Sequence, residues 1–444
     1  MKKYKFVLPI VLVVLMVFAC ISIVNNSIDE KNEYNSYIAS AQSAAEKKIS
    51  IDVDAAYSKA LDINPNAEDY INWGMYYDSI NDYGTAISIG ENAVAEFPKE
   101  SKIYVFLMEN YLKLSNYETF FDTYNKCVSI GVANSDVVDL YEQNKFAFSL
   151  GFNTYGNAYP FSSGVARVTN KTYDGEEKVY FGYANSGGEI QPQYISAGDF
   201  NSDEISVAPV VDKNGDAYYI NKEGRKKYVV KPENITVQEL GFYSSGVLSV
   251  FDGKEYYLCD INSNIIGGPY EYLSTINNNI GVIKEGEIWK IINEKGEQIV
   301  DQTFSDVILD SKKIAYRNGM FVEMNDKYYL INGSGEIISD SAFDDARLFV
   351  DGFAAVKNNG KWGFIDQKGN LVIDYKFHDA QSFSNGFAAV KMNDKWGYIT
   401  YSDKNQTDTT VIDYQFEDAI GFSTTARVSM VKLNNQWYLL QLYV

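Results

Sequence analysis

Cysteine and histidine are scarce in this chain of 444 residues, which has three cysteines and one histidine, His378. Cys20, Cys127 and Cys259 lie far apart in the sequence, so they provide neither a disulfide framework nor a set of thiolate ligands for zinc. A single imidazole cannot build a metal centre with several histidine ligands. These shortages exclude the common zinc hydrolases and any mechanism that needs two imidazoles.

Basic residues are also in short supply. Lys and Arg number 39 against 59 Asp and Glu, which gives a formal net charge of -20. A surface that neutralises phosphates needs the opposite sign, so nucleic acids and anionic lipids are poor candidate partners. The chain also lacks a phosphate-binding G-x-x-x-x-G-K-[ST] loop, a G-x-S-x-G nucleophile elbow and an H-E-x-x-H zinc motif. We therefore predict that the protein is not an enzyme and uses no cofactor.

One long uncharged apolar run is present, over residues 6–24, directly after Lys2, Lys3 and Lys5. About 20 residues of helix span the hydrocarbon core of a bilayer, so this run predicts a transmembrane helix within residues 1–28. The flanking lysines favour the cytoplasmic side, which leaves the bulk of the chain outside the cytoplasm. Two alternatives are a lipoprotein signal that ends at Cys20 and the cleaved signal peptide of a secreted protein.

Residues 29–146 show the periodicity of paired helices. Three copies are marked by Tyr37, Tyr70 and Tyr104, which are 33 and 34 residues apart. The second copy places bulky and small residues at Tyr70, Trp73, Gly74, Tyr77, Ala86, Gly90, Ala93 and Pro98. These offsets resemble the tetratricopeptide repeat, with Gly90 where an aromatic residue is usual. We predict a tetratricopeptide-like helical stack, capped by a helix near residues 135–144, and an unrelated helical bundle is the alternative.

From residue 147 to 444 the sequence consists of short β-branched and aromatic runs separated by Gly, Asn and Asp, which is typical of strands and tight turns. The block 352–366, with GFAAV followed by KWGFID, returns 34 residues later as GFAAV and KWGYIT in block 386–400. These residues resemble the WG-containing repeat family of bacterial proteins. About eight copies align on an aromatic position, and the main structural anchors are Trp289, Trp362, Gly363, Trp396, Gly397 and Trp437.

The arrangement of these copies can be inferred from their exposed edges. Both faces of a GFAAV strand are apolar, so neighbouring copies must cover both. The last copy ends without its outer strand, while residues 149–158 form an extra strand pattern before the first copy. A ring in which the first strand completes the last unit explains both observations. We predict an α+β multidomain chain with an all-β domain shaped as a propeller-like toroid, and an open β-superhelix is the alternative.

One segment has the oxygen ligands of a calcium loop. Asp212, Asn214, Asp216 and Glu223 occupy positions 1, 3, 5 and 12 of a pattern that resembles an EF-hand. Ala217 replaces the glycine needed at position 6, and no helical pattern flanks the segment. Because the segment also aligns with residues 358–368 of an ordinary repeat, the sequence favours a hairpin turn, with a weak calcium site as the alternative.

Two functions from different classes fit these features. The first is a membrane-anchored, extracytoplasmic scaffold whose helical and β repeats bind proteins or peptides at the cell surface. The second is a surface protein that binds cell-wall glycan, since the rings of 36 tyrosines could stack on sugars. We favour the scaffold, because paired repeat modules without a catalytic set bind partners rather than transform them.

Overall fold

A computed structural model of the chain describes residues 7–173, 177–185, 187, 194–201 and 205–443; for 7–26, 170–173, 177–178 and 340 it describes the backbone alone. The chain forms two compact units. The first comprises Met1–Ala147 with Tyr443–Val444, and the second comprises Phe148–Leu442. The first unit is helical and the second is built from β-strands.

The helical unit has seven helices in its described part: α1 (Val7–Glu46), α2 (Ser50–Ile63), α3 (Ala67–Ser79), α4 (Tyr83–Glu96), α5 (Ser101–Lys113), α6 (Tyr117–Ser129) and α7 (Ser135–Asn144). Four of them begin with a side-chain oxygen that accepts the backbone N–H three residues ahead, from Asn66, Asp82, Asn116 and Asn134. Such caps satisfy one of the free N–H groups at a helix start. The pairs α1–α2, α3–α4 and α5–α6 with a terminal α7 confirm the predicted tetratricopeptide-like stack.

Small residues in this stack make room for large ones of the next pair. A Cβ on Gly74 would lie 2.5 Å from Phe106 Cζ, and a Cβ on Gly90 would lie 2.7 Å from Leu107 Cδ2. Both neighbours belong to α5 and are buried. The space left at Gly90, where the repeat usually carries an aromatic residue, is therefore occupied by side chains from the following helix pair.

The predicted boundary at residue 28 falls inside α1, which continues without a break from Val7 to Glu46. In the portion of the chain with described side chains, which starts at residue 27, none of the helices is long and apolar enough to cross a membrane. The run 6–24 that predicts a transmembrane helix lies outside that portion.

The second unit forms eight antiparallel sheets in its described residues, and we number them as blades in chain order. Blade 1 holds β2 (Asn157–Ser162), β3 (Val165–Tyr173) and β4 (Glu177–Asn185); blade 2, β5 (Ser196–Ala197), β6 (Ala208–Val211), β7 (Ala217–Ile220) and β8 (Lys226–Tyr228); blade 3, β9 (Glu239–Leu240), β10 (Val247–Phe251), β11 (Tyr256–Asp260) and β12 (Ile265–Tyr270); blade 4, β13 (Tyr272–Leu273), β14 (Gly281–Glu285) and β15 (Ile288–Ile292).

The later blades follow the same order. Blade 5 holds β16 (Met320–Met324), β17 (Lys327–Ile331) and β18 (Ile337–Phe343); blade 6, β19 (Asp345–Ala346), β20 (Phe353–Asn358), β21 (Lys361–Asp366) and β22 (Leu371–Phe377); blade 7, β23 (Asp379–Ala380), β24 (Phe387–Met392), β25 (Lys395–Ser402) and β26 (Thr407–Phe416); blade 8, β27 (Asp418–Ala419), β28 (Val428–Leu433) and β29 (Gln436–Leu442). Its fourth strand is β1 (Phe148–Tyr155), which comes from the start of the unit.

This exchange of a strand closes the ring. Strand β1 pairs antiparallel with β29, from Phe148 opposite Leu442 to Tyr155 opposite Trp437. A buried cluster then joins blade 8 to blade 1 through Trp437, Met430 and Val168 among others. The β region is therefore a closed propeller of eight blades. The predicted toroid is confirmed, and the alternative of an open superhelix is wrong.

The GFAAV strands explain how neighbouring blades approach each other. In β20, Ala354 and Val356 pack in one cluster with side chains of blade 5, while Ala355 packs in another cluster with side chains of blade 7. All three residues have no exposed surface. Alternate side chains of one strand thus belong to two interfaces, as the period of two requires.

Candidate functional site

The calcium candidate is divided between two turns, with Asp212, Asn214 and Asp216 between β6 and β7 and Glu223 between β7 and β8. One carboxylate oxygen of Asp212, Oδ1, accepts the backbone N–H of Asn214 at 2.9 Å and that of Asp216 at 3.1 Å. These bonds fix a hairpin turn, and Asp366 forms the same pair of bonds with residues 368 and 370 in blade 6. Across the described ranges, no three Asp, Glu, His or Cys side chains are grouped so that they could hold a metal ion. Asp212 therefore serves here as a turn residue.

A solvent-facing stripe repeats on the first helix of each pair. At the same offsets, an exposed residue alternates with a half-buried one in α1, α3 and α5. We call this set the A-helix stripe; it consists of Asn35, Ile38, Gln42, Ala45, Glu68, Ile71, Met75, Asp78, Lys102, Val105, Glu109 and Leu112. Residues spaced by three and four lie on one face of a helix, so each helix contributes one row.

Polar contacts hold these three helices side by side. The Tyr34 hydroxyl of α1 donates a hydrogen bond to Asp69 Oδ2 of α3 at 2.7 Å, and Lys113 Nζ of α5 lies 2.5 Å from Asp78 Oδ1 of α3. The rows of the stripe are thus neighbours. In the α3 row, Ile71 and Met75 lie between Glu68 and Asp78. In the α5 row, Val105 lies between Lys102 and Glu109.

Two cavities among the described residues of the propeller share Ser311 and Lys312 in their lining. The larger encloses about 330 Å³ and is lined by blades 1, 5, 6, 7 and 8, with mainly apolar walls such as Leu309, Leu348 and Ile420. Its two guanidinium groups already have partners. Arg317 donates two hydrogen bonds to Asp310 Oδ2, at 3.1 and 2.8 Å, and Arg347 Nη2 lies 3.0 Å from Asp379 Oδ1.

The smaller cavity encloses about 160 Å³ and is lined by blades 1, 2, 3 and 5. Its lining includes five charged residues, which are Arg167, Lys312, Lys313, Asp199 and Glu239. The segment that carries the two lysines is held in place, because Thr275 Oγ1 donates to the Lys312 carbonyl at 2.6 Å and the Thr275 N–H donates to the Lys313 carbonyl at 2.9 Å. We call this space the charged cavity.

The tryptophan anchors lie inside the blades. Trp289, Trp362, Trp396 and Trp437 are 8%, 4%, 5% and 5% exposed. Trp362, for example, lies in the cluster with Phe364 and Phe377, and the Arg347 guanidinium carbon is 5.0 Å from its ring. None of the four offers a free ring face to a ligand at the surface.

The glycine after the anchor is required by the third strand of the blade. In blade 6, Trp362 pairs with Phe377 but Phe364 pairs with Ile373, so a bulge lies opposite Gly363. A Cβ on Gly363 would be 2.6 Å from the Ile373 carbonyl oxygen. Blade 7 repeats this arrangement, with Gly397 and the Ile412 carbonyl at the same distance. In a Trp–Gly pair, the tryptophan thus supplies a buried ring, and the glycine, which has no Cβ, leaves room for the bulged backbone of the adjacent strand.

Two segments that include a tryptophan anchor match a protein-family model. Residues 330–362 and 362–396 match the family model of the WG containing repeat. These two segments are WG containing repeats. They cover the anchor and bulge of blade 6 and extend to the anchor of blade 7.

Solved structures give matches to both units. The TPR domain of Arabidopsis OM64 is 14% identical, with 26% of this chain and 97% of that one covered and a TM-score of 0.22. The TPR domain of Sgt2 from Aspergillus fumigatus is 21% identical, with 26% and 77% covered and a TM-score of 0.22. The propeller of Dos1 is 10% identical, with 66% and 94% covered and a TM-score of 0.41. No curated protein sequence matches the chain.

Blades that lack the WG dipeptide accommodate the bulge between their last two strands in other ways. In blade 3 the anchor is followed by Tyr257, and the glycine lies on the opposite strand instead. A Cβ on Gly268 would be 2.8 Å from the Tyr256 carbonyl oxygen. In blades 5 and 8 the residues after the anchor, Tyr329 and Tyr438, are paired directly, and the bulge comes further along the strand. A WG repeat therefore needs its glycine only where the bulge faces it.

Sequence analysis did not single out Asp199 or Lys312. Both lie where a blade departs from the repeat: Asp199 aligns with Leu348 of blade 6 and Ser382 of blade 7, and Lys312 belongs to a segment of blade 5 without the Phe-x-x-Gly turn of blades 1, 6 and 7. The sequence does show a charged residue at an inner-strand position. It does not show which residue that charge faces, because this depends on which blades lie next to or opposite each other.

Proposed function

We propose that the protein is an interaction scaffold that binds a peptide segment of a partner on the A-helix stripe. The observation that supports this proposal is that Met75, which is 52% exposed, lies among half-buried apolar side chains such as Ile71 and Val105 on adjacent helices. A short amphipathic segment could place its apolar residues on Ile71, Met75 and Val105 and its polar residues toward the charged side chains that flank them on α3 and α5. The helix pairs hold this surface rigid, which reduces the entropy lost on binding.

Membrane attachment and location are part of the same proposal. Residues 6–24 would anchor the chain, the lysines before them would remain in the cytoplasm, and both units would face outward. Protease added to intact, wall-stripped cells should then remove the helical unit and the propeller. Complete protection of the chain would contradict the outward orientation.

The partner site can be tested with two substitutions at equally exposed positions. Met75 and Val128 are each 52% exposed, but only Met75 belongs to the stripe. Quantitative crosslinking of the full chain in cells should lose its main partner with Met75→Glu and keep it with Val128→Glu. Equal crosslinking by both variants would refute the stripe as the binding surface.

The glycan alternative has less support. The WG-repeat tryptophans are buried, and Tyr104, Tyr155, Tyr219 and Tyr398 are among the largest fully buried side chains. Stacking on sugars requires an exposed ring face. We also propose that the protein performs no catalysis, since its sequence lacks a nucleophile with a base and an orienting group.

A further inference from the structure

The outer edge of blade 2 carries a concentration of positive charge on a chain whose formal net charge is -20. Residues 222–231 include five basic residues and one acidic residue, Glu223. These positions cover the turn between β7 and β8, strand β8 itself and the three residues that follow it. We call the basic residues the basic strip; they are Lys222, Arg225, Lys226, Lys227 and Lys231, and all of them are exposed.

Most of this charge is not neutralised by the protein itself. Arg225 Nη2 lies 3.3 Å from Glu223 Oε2, in an ion pair whose side chains are 74% and 61% exposed. Within the described residues, no carboxylate oxygen lies within 4.0 Å of the ammonium groups of the four lysines. Lys226 Nζ lies instead 4.0 Å from the centroid of the Tyr218 ring. Because β8 is hydrogen-bonded to β7 alone among the described strands, the strip is open to a partner.

Protection of a sheet edge does not account for the strip. Lysines on an outer strand commonly prevent strands of other molecules from pairing with it. The other blades do without this protection, since the position of Lys226 is taken by Ile265 in blade 3, Ile337 in blade 5 and Leu371 in blade 6. These side chains are 46%, 51% and 46% exposed, and the position after each of them is aliphatic as well. The charge is therefore a feature of blade 2 and not of the repeat.

We propose that the basic strip binds an extended acidic segment of a partner protein, whose carboxylates pair with the exposed ammonium and guanidinium groups. In an extended chain, alternate side chains lie on one side at a spacing of about 7 Å, so several carboxylates can reach the strip at once. This interaction surface lies in the propeller and does not depend on the A-helix stripe.

The net charge of the molecule favours a short acidic segment over larger polyanions. At physiological ionic strength a charge acts over about 8 Å, so a segment confined to the strip is attracted by its cations. A long phosphate polymer or an anionic membrane would extend past the strip and meet the acidic remainder of the surface, which repels it.

The first test compares probes on the unaltered full chain. Fluorescence anisotropy would use a short labelled peptide of alternating glutamate and threonine, and the same peptide with glutamine in place of glutamate. We expect the glutamate peptide to bind at least about 10-fold more tightly, and to weaken as salt is added, because exposed ion pairs are screened. Equal affinity for the two peptides would overturn the proposal. Displacement of the probe by polyphosphate or phosphatidylglycerol vesicles at lower concentration than by unlabelled glutamate peptide would refute the choice of an acidic protein segment.

The second test assigns the binding to the strip. Lys226→Glu combined with Lys227→Glu should weaken binding of the glutamate peptide by about 10-fold, since two attractive contacts become repulsive. Lys295→Glu combined with Lys368→Glu changes the net charge equally, at exposed residues in the turns that follow the third strand of blades 4 and 6. This control should keep the affinity within about twofold, because these blades do not adjoin blade 2 and salt screens distant charges. Equal weakening by both double variants would show that net charge governs binding and would overturn the proposal; the comparison of peptides on the unaltered chain holds even if a variant fails to fold.

Discussion

The absence of a Cβ at the glycine of a WG repeat leads to a quantitative prediction for Gly397. Its backbone is extended, so alanine is compatible with the local conformation. The obstacle is the bulge of β26, whose Ile412 carbonyl oxygen would lie 2.6 Å from the new Cβ and whose Asp413 carbonyl carbon would lie 3.0 Å away. Both atoms belong to the backbone, so rotation of a side chain cannot relieve the clash.

The expected cost follows from two opposing effects. Real Cβ atoms essentially never lie closer than 3.0 Å to another heavy atom, so the 2.6 Å contact requires strand β26 to move by about 0.4 Å or more. Overpacking of this kind costs about 1–3 kcal/mol. Replacing glycine by alanine also lowers the conformational entropy of the unfolded chain, which stabilises the folded state by about 0.4–1 kcal/mol. Gly397→Ala should therefore lower the free energy of unfolding by about 1–2 kcal/mol.

The control is a glycine of the same unit with room around it. A Cβ on Gly421 would lie 3.6 Å from Ser384 Cβ and 3.8 Å from the Ser382 carbonyl oxygen, which are ordinary contacts. Gly421→Ala should be neutral or slightly stabilising. Urea unfolding followed by tryptophan fluorescence suits the comparison, because four of the five tryptophans lie in the propeller. If Gly397→Ala is as stable as Gly421→Ala, the bulge does not explain the glycine of the WG repeat.

Three further predictions concern the blades. Trp396→Ala should lower the free energy of unfolding by about 3–5 kcal/mol, because it removes a buried ring and leaves a cavity. Phe152→Ala, at a fully exposed ring, should change the free energy of unfolding by less than about 0.5 kcal/mol. Similar losses for the two variants would contradict the packing role of Trp396. Leu150→Pro in β1 should speed hydrogen exchange of β29 amides, since it breaks the ladder opposite Leu440; unchanged exchange would argue against ring closure by β1. Lys327 holds the pKa of Asp344 below its usual value, so this carboxylate stabilises the fold above the unfolded pKa of about 4 and loses that effect as the pH falls through the folded pKa. The difference in melting temperature between the unaltered chain and Asp344→Asn should accordingly shrink between pH 7 and pH 3; a constant difference would refute the linkage.

Much of the architecture could be predicted from local patterns. The 33- and 34-residue spacing of Tyr37, Tyr70 and Tyr104 corresponds to three helix pairs, because each pair buries its small and aromatic residues at fixed offsets. The extra strand before the first β copy predicted the ring, since pairing this strand with the last copy removes the unpaired edge at each end of the unit. Both predictions use spacing along the chain and need no knowledge of distant contacts.

Other features depend on contacts that spacing does not encode. The bulge opposite Gly363 arises from a register change between β21 and β22, and the same dipeptide position is filled by Tyr329 in a blade where the register changes elsewhere. The replacement of an aromatic residue at Gly90 by Phe106 and Leu107 likewise depends on how closely the next helix pair approaches. A repeat pattern predicts that a position is occupied, but the neighbouring copy determines which residue fills it.

Departures from the repeat within this propeller are matched by a second change nearby. Where the residue after the anchor is Tyr257 in blade 3, Gly268 on the opposite strand leaves room for the backbone. Asp199 of blade 2 stands where blades 6 and 7 carry leucine and serine, and Arg167 of blade 1 places its Nε 3.3 Å from Asp199 Oδ1. A buried carboxylate is tolerated only when a cation accompanies it, so the two charged residues form one departure from the repeat, shared by neighbouring blades.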